Sequence, residues 1–176
     1  VGSEMCIRDS EIYRTDGTQA GTTLVKDLFP GTYGSNAQQY CKIGTNLVFM
    51  AIADPNIGYE LYMLDTTSQT VSLLLDIFPG YLDAVPQKFS NSGQYVYFNI
   101  GSTSIEHEPW VTNGTPSGTK QLKDIWPGGN WSNPANYTNV SGSMFFTADD
   151  GSTGVELWKS DGTTAGTVRV KDIQTG

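Results

Sequence analysis

Cysteine is nearly absent from this chain of 176 residues: Cys6 and Cys41 are the only two, too few for a disulfide framework, and the redox compartment stays open. Histidine is rarer still. His107 stands alone between Glu106 and Glu108. Without Cys or His partners it makes a poor zinc ligand and a poor member of a catalytic triad. Positive charge is also scarce, with 10 Lys and Arg against 18 Asp and Glu and a net charge of −8. The cations are scattered, which argues against nucleic acid, whose binding rests on clustered Lys and Arg meeting phosphates. No apolar run approaches the roughly 18–20 residues of a membrane span. A helical period is missing throughout.

What the chain has is glycine (20), aromatic residues (4 Trp, 9 Tyr and 7 Phe) and a repeated phrase. Glycine and aromatics at even spacing suit turns and strands. The phrase ELWKSDGTTAGTVRVKDI begins at Glu156, and related phrases begin at Glu11 (EIYRTDGTQAGTTLVKDL), Glu60 (ELYMLDTTSQTVSLLLDI) and Glu108 (EPWVTNGTPSGTKQLKDI). The intervals are 49, 48 and 48 residues. Much of the acidity is periodic with it. Glu11, Glu60, Glu108 and Glu156 share one slot, Asp27, Asp76, Asp124 and Asp172 another, and Asp16, Asp65 and Asp161 a third.

Each unit reads as four short strands. Glu11 to Arg14 alternates, Asp16-Gly17-Thr18 turns the chain, and Leu24 to Leu28 returns before Pro30-Gly31. Strands follow around Tyr40 to Ile43 and Leu47 to Ala51, the latter matched by Val96 to Ile100 and Met144 to Ala148. Four strands in about 48 residues is the pattern of a β-propeller blade. Apolar residues on both strand faces fit a sheet covered on both sides. A β-solenoid ranks second, since its repeats are usually shorter. The expected fold is therefore all-β, a propeller fragment of about three and a half four-stranded blades. The expected units are 11–59, 60–107 (degenerate), 108–155 and 156–176 (truncated), and further blades of the same chain would be needed to close a ring.

These phrases resemble the bacterial ELWxxDGT repeat, and the resemblance extends from Glu11 to Gly176. The last unit fits it almost letter for letter. In the third unit Asn113 replaces Asp, and in the second Asp65-Thr66-Thr67 lacks the glycine. The resemblance implies a propeller-like repeat in exported proteins, extracellular or at the cell surface, with no established activity, cofactor or metal to carry over. The first ten residues, VGSEMCIRDS, fall outside it and resemble translated sequencing adapter. They are expected to be a non-native or disordered leader.

The D-G-T turn is similar in kind to the Asp-box of sialidases. Asp16, Gly17, Asp65, Asn113, Gly114, Asp161 and Gly162 are thus expected to be structural turn residues, whose side-chain oxygens hold a hairpin by accepting backbone N–H bonds. A sialidase site needs three arginines, and outside the leader only Arg14 and Arg169 occur, in different slots. A glycosidase needs a carboxylate pair. The aperiodic acids Asp54, Asp83, Glu106, Asp149 and Asp150 are the candidates, but they sit on polar loops without a distinctive motif. The periodic Glu could pair with a lysine across the hairpin, cap a turn, or join an Asp around Ca²⁺.

Trp126 shares its slot with Phe29 and Phe78 and reads as scaffold, whereas Trp131, on the loop GGNWSN, has no aromatic counterpart. It is the one candidate ligand-binding residue, for a sugar ring or a protein partner. The sequence thus supports a non-enzymatic scaffold presenting loops for protein or glycan binding. A propeller carbohydrate-active enzyme with its catalytic residues elsewhere, or a passive spacer, are the alternatives.

Overall fold

The computed structural model describes residues 10–31, 33–101 and 107–173. The leader up to residue 9 and Glu106 lie outside these. The protein is all-β, with one 3-10 turn at Pro116–Gly118. Strands β1 (Ile12–Arg14) and β2 (Thr23–Lys26) form a two-stranded sheet. Three four-stranded sheets follow, each a simple antiparallel meander. The first contains β3 (Gln38–Ile43), β4 (Asn46–Ile52), β5 (Tyr59–Asp65) and β6 (Thr70–Leu75). The second contains β7 (Pro86–Asn91), β8 (Val96–Ile100), β9 (Pro109–Thr112) and β10 (Lys120–Gln121). The third contains β11 (Ala135–Val140), β12 (Ser143–Asp149), β13 (Val155–Ser160) and β14 (Val168–Lys171).

Sheets and sequence phrases are out of phase. Each four-stranded sheet takes its first two strands from the end of one unit and its last two from the start of the next. The D-G-T turn therefore joins the last two strands of a sheet. Because successive strands are antiparallel, one end of every sheet carries these turns. The opposite end carries the loops into β5, β9 and β13 and the crossovers that lead from one sheet to the next, at 27–37, 76–85 and 122–134.

The sheets pack face to face in chain order. Phe49, Ala51 and Tyr62 meet Ile12 of the two-stranded sheet, while Val48 and Leu61 on the other face meet Val96, Phe98 and Ile100. Tyr97 and Val111, on the next face, meet Met144. Strand β8 is accordingly buried at every position, as a strand covered on both sides must be. In β12 only alternate residues are buried, namely Met144, Phe146 and Ala148. Phe49, Phe98 and Phe146 occupy one repeat slot and are all buried, each contributing roughly 2–3 kcal/mol of hydrophobic stabilisation. The first strands β3, β7 and β11 approach one another much more closely than do the last strands of the same sheets.

A recurring bulge marks each first strand, at Gln38/Cys41, Gln87/Ser90 and Ala135/Thr138. Gln39, Lys88 and Asn136 sit at these bulges with φ of 60°, 58° and 59°. The irregularity belongs to the repeat, and it adds local twist to the strand that lies closest to its neighbours.

Candidate functional site

The turn residues form a bonded cage. Asp16 Oδ1 accepts from the Thr18 amide at 2.9 Å and its hydroxyl at 2.7 Å, and Asp161 Oδ1 accepts from Thr163 at the same two distances. Asn113 Oδ1 does the same with Thr115, at 3.0 and 2.7 Å. An amide oxygen thus replaces a carboxylate without loss of geometry. Asp65 accepts from the Thr67 and Ser68 amides, at 2.8 and 3.1 Å. Bonds from the Thr hydroxyls lower the carboxyls of Asp16 and Asp161, and the Ser68 and Thr67 amides lower that of Asp65.

The glycines of the phrase have two distinct jobs. Gly17, Gly114 and Gly162 take φ of 90°, 83° and 92°, which only glycine adopts without cost. A Cβ on Gly162 would also strike the Tyr95 ring of the preceding sheet, at 2.4 Å. The second glycines, Gly21, Gly118 and Gly166, lie flat against the Asp or Asn side chain, where a Cβ would come within 1.9–2.1 Å of Oδ1.

The periodic glutamates do not pair with lysines across the hairpin. Among the described residues, the ion pairs are those of Arg169 with Asp150 and Asp172. The glutamates instead hold the crossovers. Oε2 of Glu11, Glu60, Glu108 and Glu156 accepts from the amides of Leu28, Ile77, Ile125 and Ile173 at 2.8, 2.8, 2.8 and 3.0 Å. Oε1 of Glu11 and Glu108 accepts from the amides of Ser35 and Ser132, at 2.9 and 3.0 Å. One carboxylate thereby pins a crossover at its start and again where it enters the next sheet. Ser132 Oγ adds a bond to Glu108 Oε2 at 2.7 Å.

The second unit breaks this pattern. Ala84 takes the serine's place, and its amide turns to the Tyr59 carbonyl at 3.0 Å. Glu60 Oε1 is left buried without a hydrogen-bond partner. Burial pushes the Glu60 carboxyl up to about 8, the Ile77 amide offsets this in part, and Asp76 adds repulsion. Burial also raises Glu108, against the pull of the bonds from Ile125 and Ser132.

The described aperiodic acids all accept from backbone amides, locally except for Asp83. Asp54 accepts from the Asn56 amide, Asp83 from the Tyr59 amide and Asp149 from the Gly151 amide, each at 2.8 Å. Burial alone would raise Asp150, but bonds from Ser152 and Thr153 outweigh it and hold the carboxyl at about 2. Among the described residues no group of three or more His, Cys, Asp and Glu is placed to hold a metal ion.

Trp131 lies on the third crossover, between the two points that Glu108 pins. It is 41% exposed, and its ring lies parallel to that of His107, with centroids 4.5 Å apart and 9° between the planes. Trp126, Gly129, Asn130, Trp131 and Asn133 line a cleft of about 330 Å³. Trp126, read from the sequence as scaffold, is therefore also a wall of this cleft, and Gly151 packs directly on its indole. Asn133 is held by its amide on the His107 carbonyl and by its side chain on the Trp131 carbonyl.

The first crossover has a cleft in the equivalent place, about 450 Å³, lined by Phe29, Tyr33, Gly34, Asn36, Ile52, Pro55 and Tyr59. Asn36 donates to the Tyr59 hydroxyl at 2.9 Å, and Tyr33 packs edge-on against Phe29. Tyr33 was not anticipated from the sequence, nor was the pairing of Trp131 with His107. The available signal was an aromatic residue within each crossover after its Pro-Gly. No protein-family model matches the chain, and no curated protein does.

Proposed function

We propose that this chain is a non-enzymatic, propeller-type repeat scaffold of the ELWxxDGT kind, acting outside the cell or at its surface, whose third crossover binds glycan. The observation that carries the reading is Trp131. Its ring is half exposed, is fixed by stacking on His107, and shares a cleft with the side-chain amides of Asn130 and Asn133. A flat apolar ring beside amide groups suits the C–H face and hydroxyls of a sugar. The Glu108 bonds hold both ends of the loop, so little conformational entropy is lost when it is occupied.

The commitment of every described aperiodic acid to backbone amides supports a binding role over hydrolysis. Closely approaching first strands and more widely separated last strands support a radial, blade-like arrangement of the sheets. Titration with a panel of neutral oligosaccharides, followed by tryptophan fluorescence and calorimetry, tests the binding. The expected result is binding to one class that Trp131→Ala abolishes at unchanged thermal stability, with no release of reducing ends. Binding untouched by Trp131→Ala would refute the site.

A further inference from the structure

All three crossovers emerge at one end of the stack, and each carries an exposed ring. On the first and third the ring lies between two amides held by Glu11 or Glu108. On the second it lies between Ile77, held by Glu60, and Ala84, held by the Tyr59 carbonyl. Tyr33 is 73% exposed, Tyr81 80% and Trp131 41%. We infer that these rings form one row that binds an extended, neutral polysaccharide across successive sheets, with the Trp131 cleft as its strongest position. The inference rests on the glycan reading of Trp131 and extends it from a single sugar site to a polymer track.

Three features support it. Stacked sheets lie on the order of 10 Å apart, so rings on neighbouring crossovers are separated by a distance a short run of sugars spans. The first and third crossovers pair their ring with asparagine side chains, Asn36 and Asn133, in equivalent clefts. The second crossover adds Tyr81 with the exposed Leu82 and no amide, an apolar step between two hydrogen-bonding positions.

Charge narrows the choice of polymer. The crossovers 27–37, 76–85 and 122–134 contain Asp27, Asp76, Asp83 and Asp124 against one cation, Lys123, whose Nζ is spent on the Thr167 carbonyl and the Trp158 ring. An anionic polymer would meet net repulsion there. Peptides also stack on aromatic rings, but these rings stand beyond the pleated strands, on loops whose ends are already bonded to the glutamates or, at Ala84, to the Tyr59 carbonyl. They present no free strand edge for an extended peptide to join.

The test compares polymer with oligomer on the 176-residue chain. Hydroxyethylcellulose, arabinoxylan, galactomannan and laminarin are the probes, each beside a tetrasaccharide of the same linkage. Heparin and polygalacturonate are the anionic controls. Affinity electrophoresis and calorimetry give the dissociation constants, and circular dichroism checks the fold of Tyr33→Ala and Tyr81→Ala.

The expected result is that one neutral polymer binds roughly 100-fold or more tighter than its tetrasaccharide, because linked contacts act at high effective concentration. Tyr33→Ala and Tyr81→Ala should each weaken the polymer about tenfold, as one linked contact is lost, and leave the tetrasaccharide unchanged. Equal affinity for polymer and tetrasaccharide, with both tyrosine variants silent, would overturn the row while leaving the Trp131 site standing. A tetrasaccharide affinity indifferent to Trp131→Ala would overturn the site itself. Binding of gelatin, with no polysaccharide bound, would overturn both in favour of a peptide ligand.

Discussion

Restoring the missing serine in the second unit should stabilise the protein, and the gain should grow with pH. In Ala84→Ser the new hydroxyl would stand where Ser132 Oγ bonds Glu108 Oε2 at 2.7 Å, next to a Glu60 oxygen that now has no partner. Ser35 and Ser132 are as buried as Ala84, so the repeat already accommodates that hydroxyl twice.

The magnitude follows from the charge state. The Glu60 carboxyl lies at about 8, above the 4.5 of a free glutamate. A carboxyl raised on folding holds its proton longer in the folded state. The native state therefore loses stability as pH climbs from about 4.5 to about 8, by at most on the order of 3–5 kcal/mol. Below that window Glu60 is neutral in both states. There the added hydroxyl gains only an ordinary hydrogen bond, which its own burial roughly cancels. Above it the bond is to a carboxylate and should leave a net gain on the order of 1 kcal/mol.

Urea unfolding of the wild type and Ala84→Ser at pH 5, 7 and 9 reads this directly. Glu60→Gln is the companion, expected to flatten the fall in stability between pH 5 and 8. A gain from Ala84→Ser that is equal at all three pH values, or a loss at pH 9, would refute the reasoning.

Other expectations concern the turns and crossovers. Val85 holds φ of 48° where the first and third units have Asn36 and Asn133, at 45° and 46°. A β-branched residue is strained there, and Val85→Asn should raise stability by about 1 kcal/mol in urea unfolding. Gly166→Ala should cost about 1 kcal/mol, because the new methyl displaces Asp161 from Thr163. Faster hydrogen exchange at the Thr163 amide would be the local sign. Asp161→Asn should change stability by less than about 0.5 kcal/mol, since Asn113 already makes the same bonds. The Asp161→Ala comparison should show the full loss, about 1 kcal/mol.

The D-G-T turns could be read from the letters because each partner sits within a few residues: Asp161 binds Thr163, and Gly166 lies against Asp161. The glutamate slot was visible as a period, but its role was not. Its partners are backbone amides 17 and 24 residues away, and an amide carries no residue-type signal. The serine that accompanies one of them occurs only at Ser35 and Ser132, with Ala84 between. Trp131 stood out as an aromatic without a counterpart, whereas Tyr33 and Tyr81 did not. The three rings follow Phe29, Phe78 and Trp126 by four, three and five residues, so they share no slot. A loop fixed at both ends can show a ring from any central position, and strict alignment then misses the set.

The half-unit offset between phrase and sheet also governs how the stack comes apart. Glu11, just before β1, and Glu108, just before β9, each bond the amide at the entry to the next sheet's first strand, so neither of their sheets can open without releasing its neighbour's threshold. In a nearest-neighbour description of a repeat array, this enlarges the penalty for a wall between an ordered and a melted sheet. The stack should melt as a block, with its weakest wall at the second crossover, where Glu60 holds one end alone.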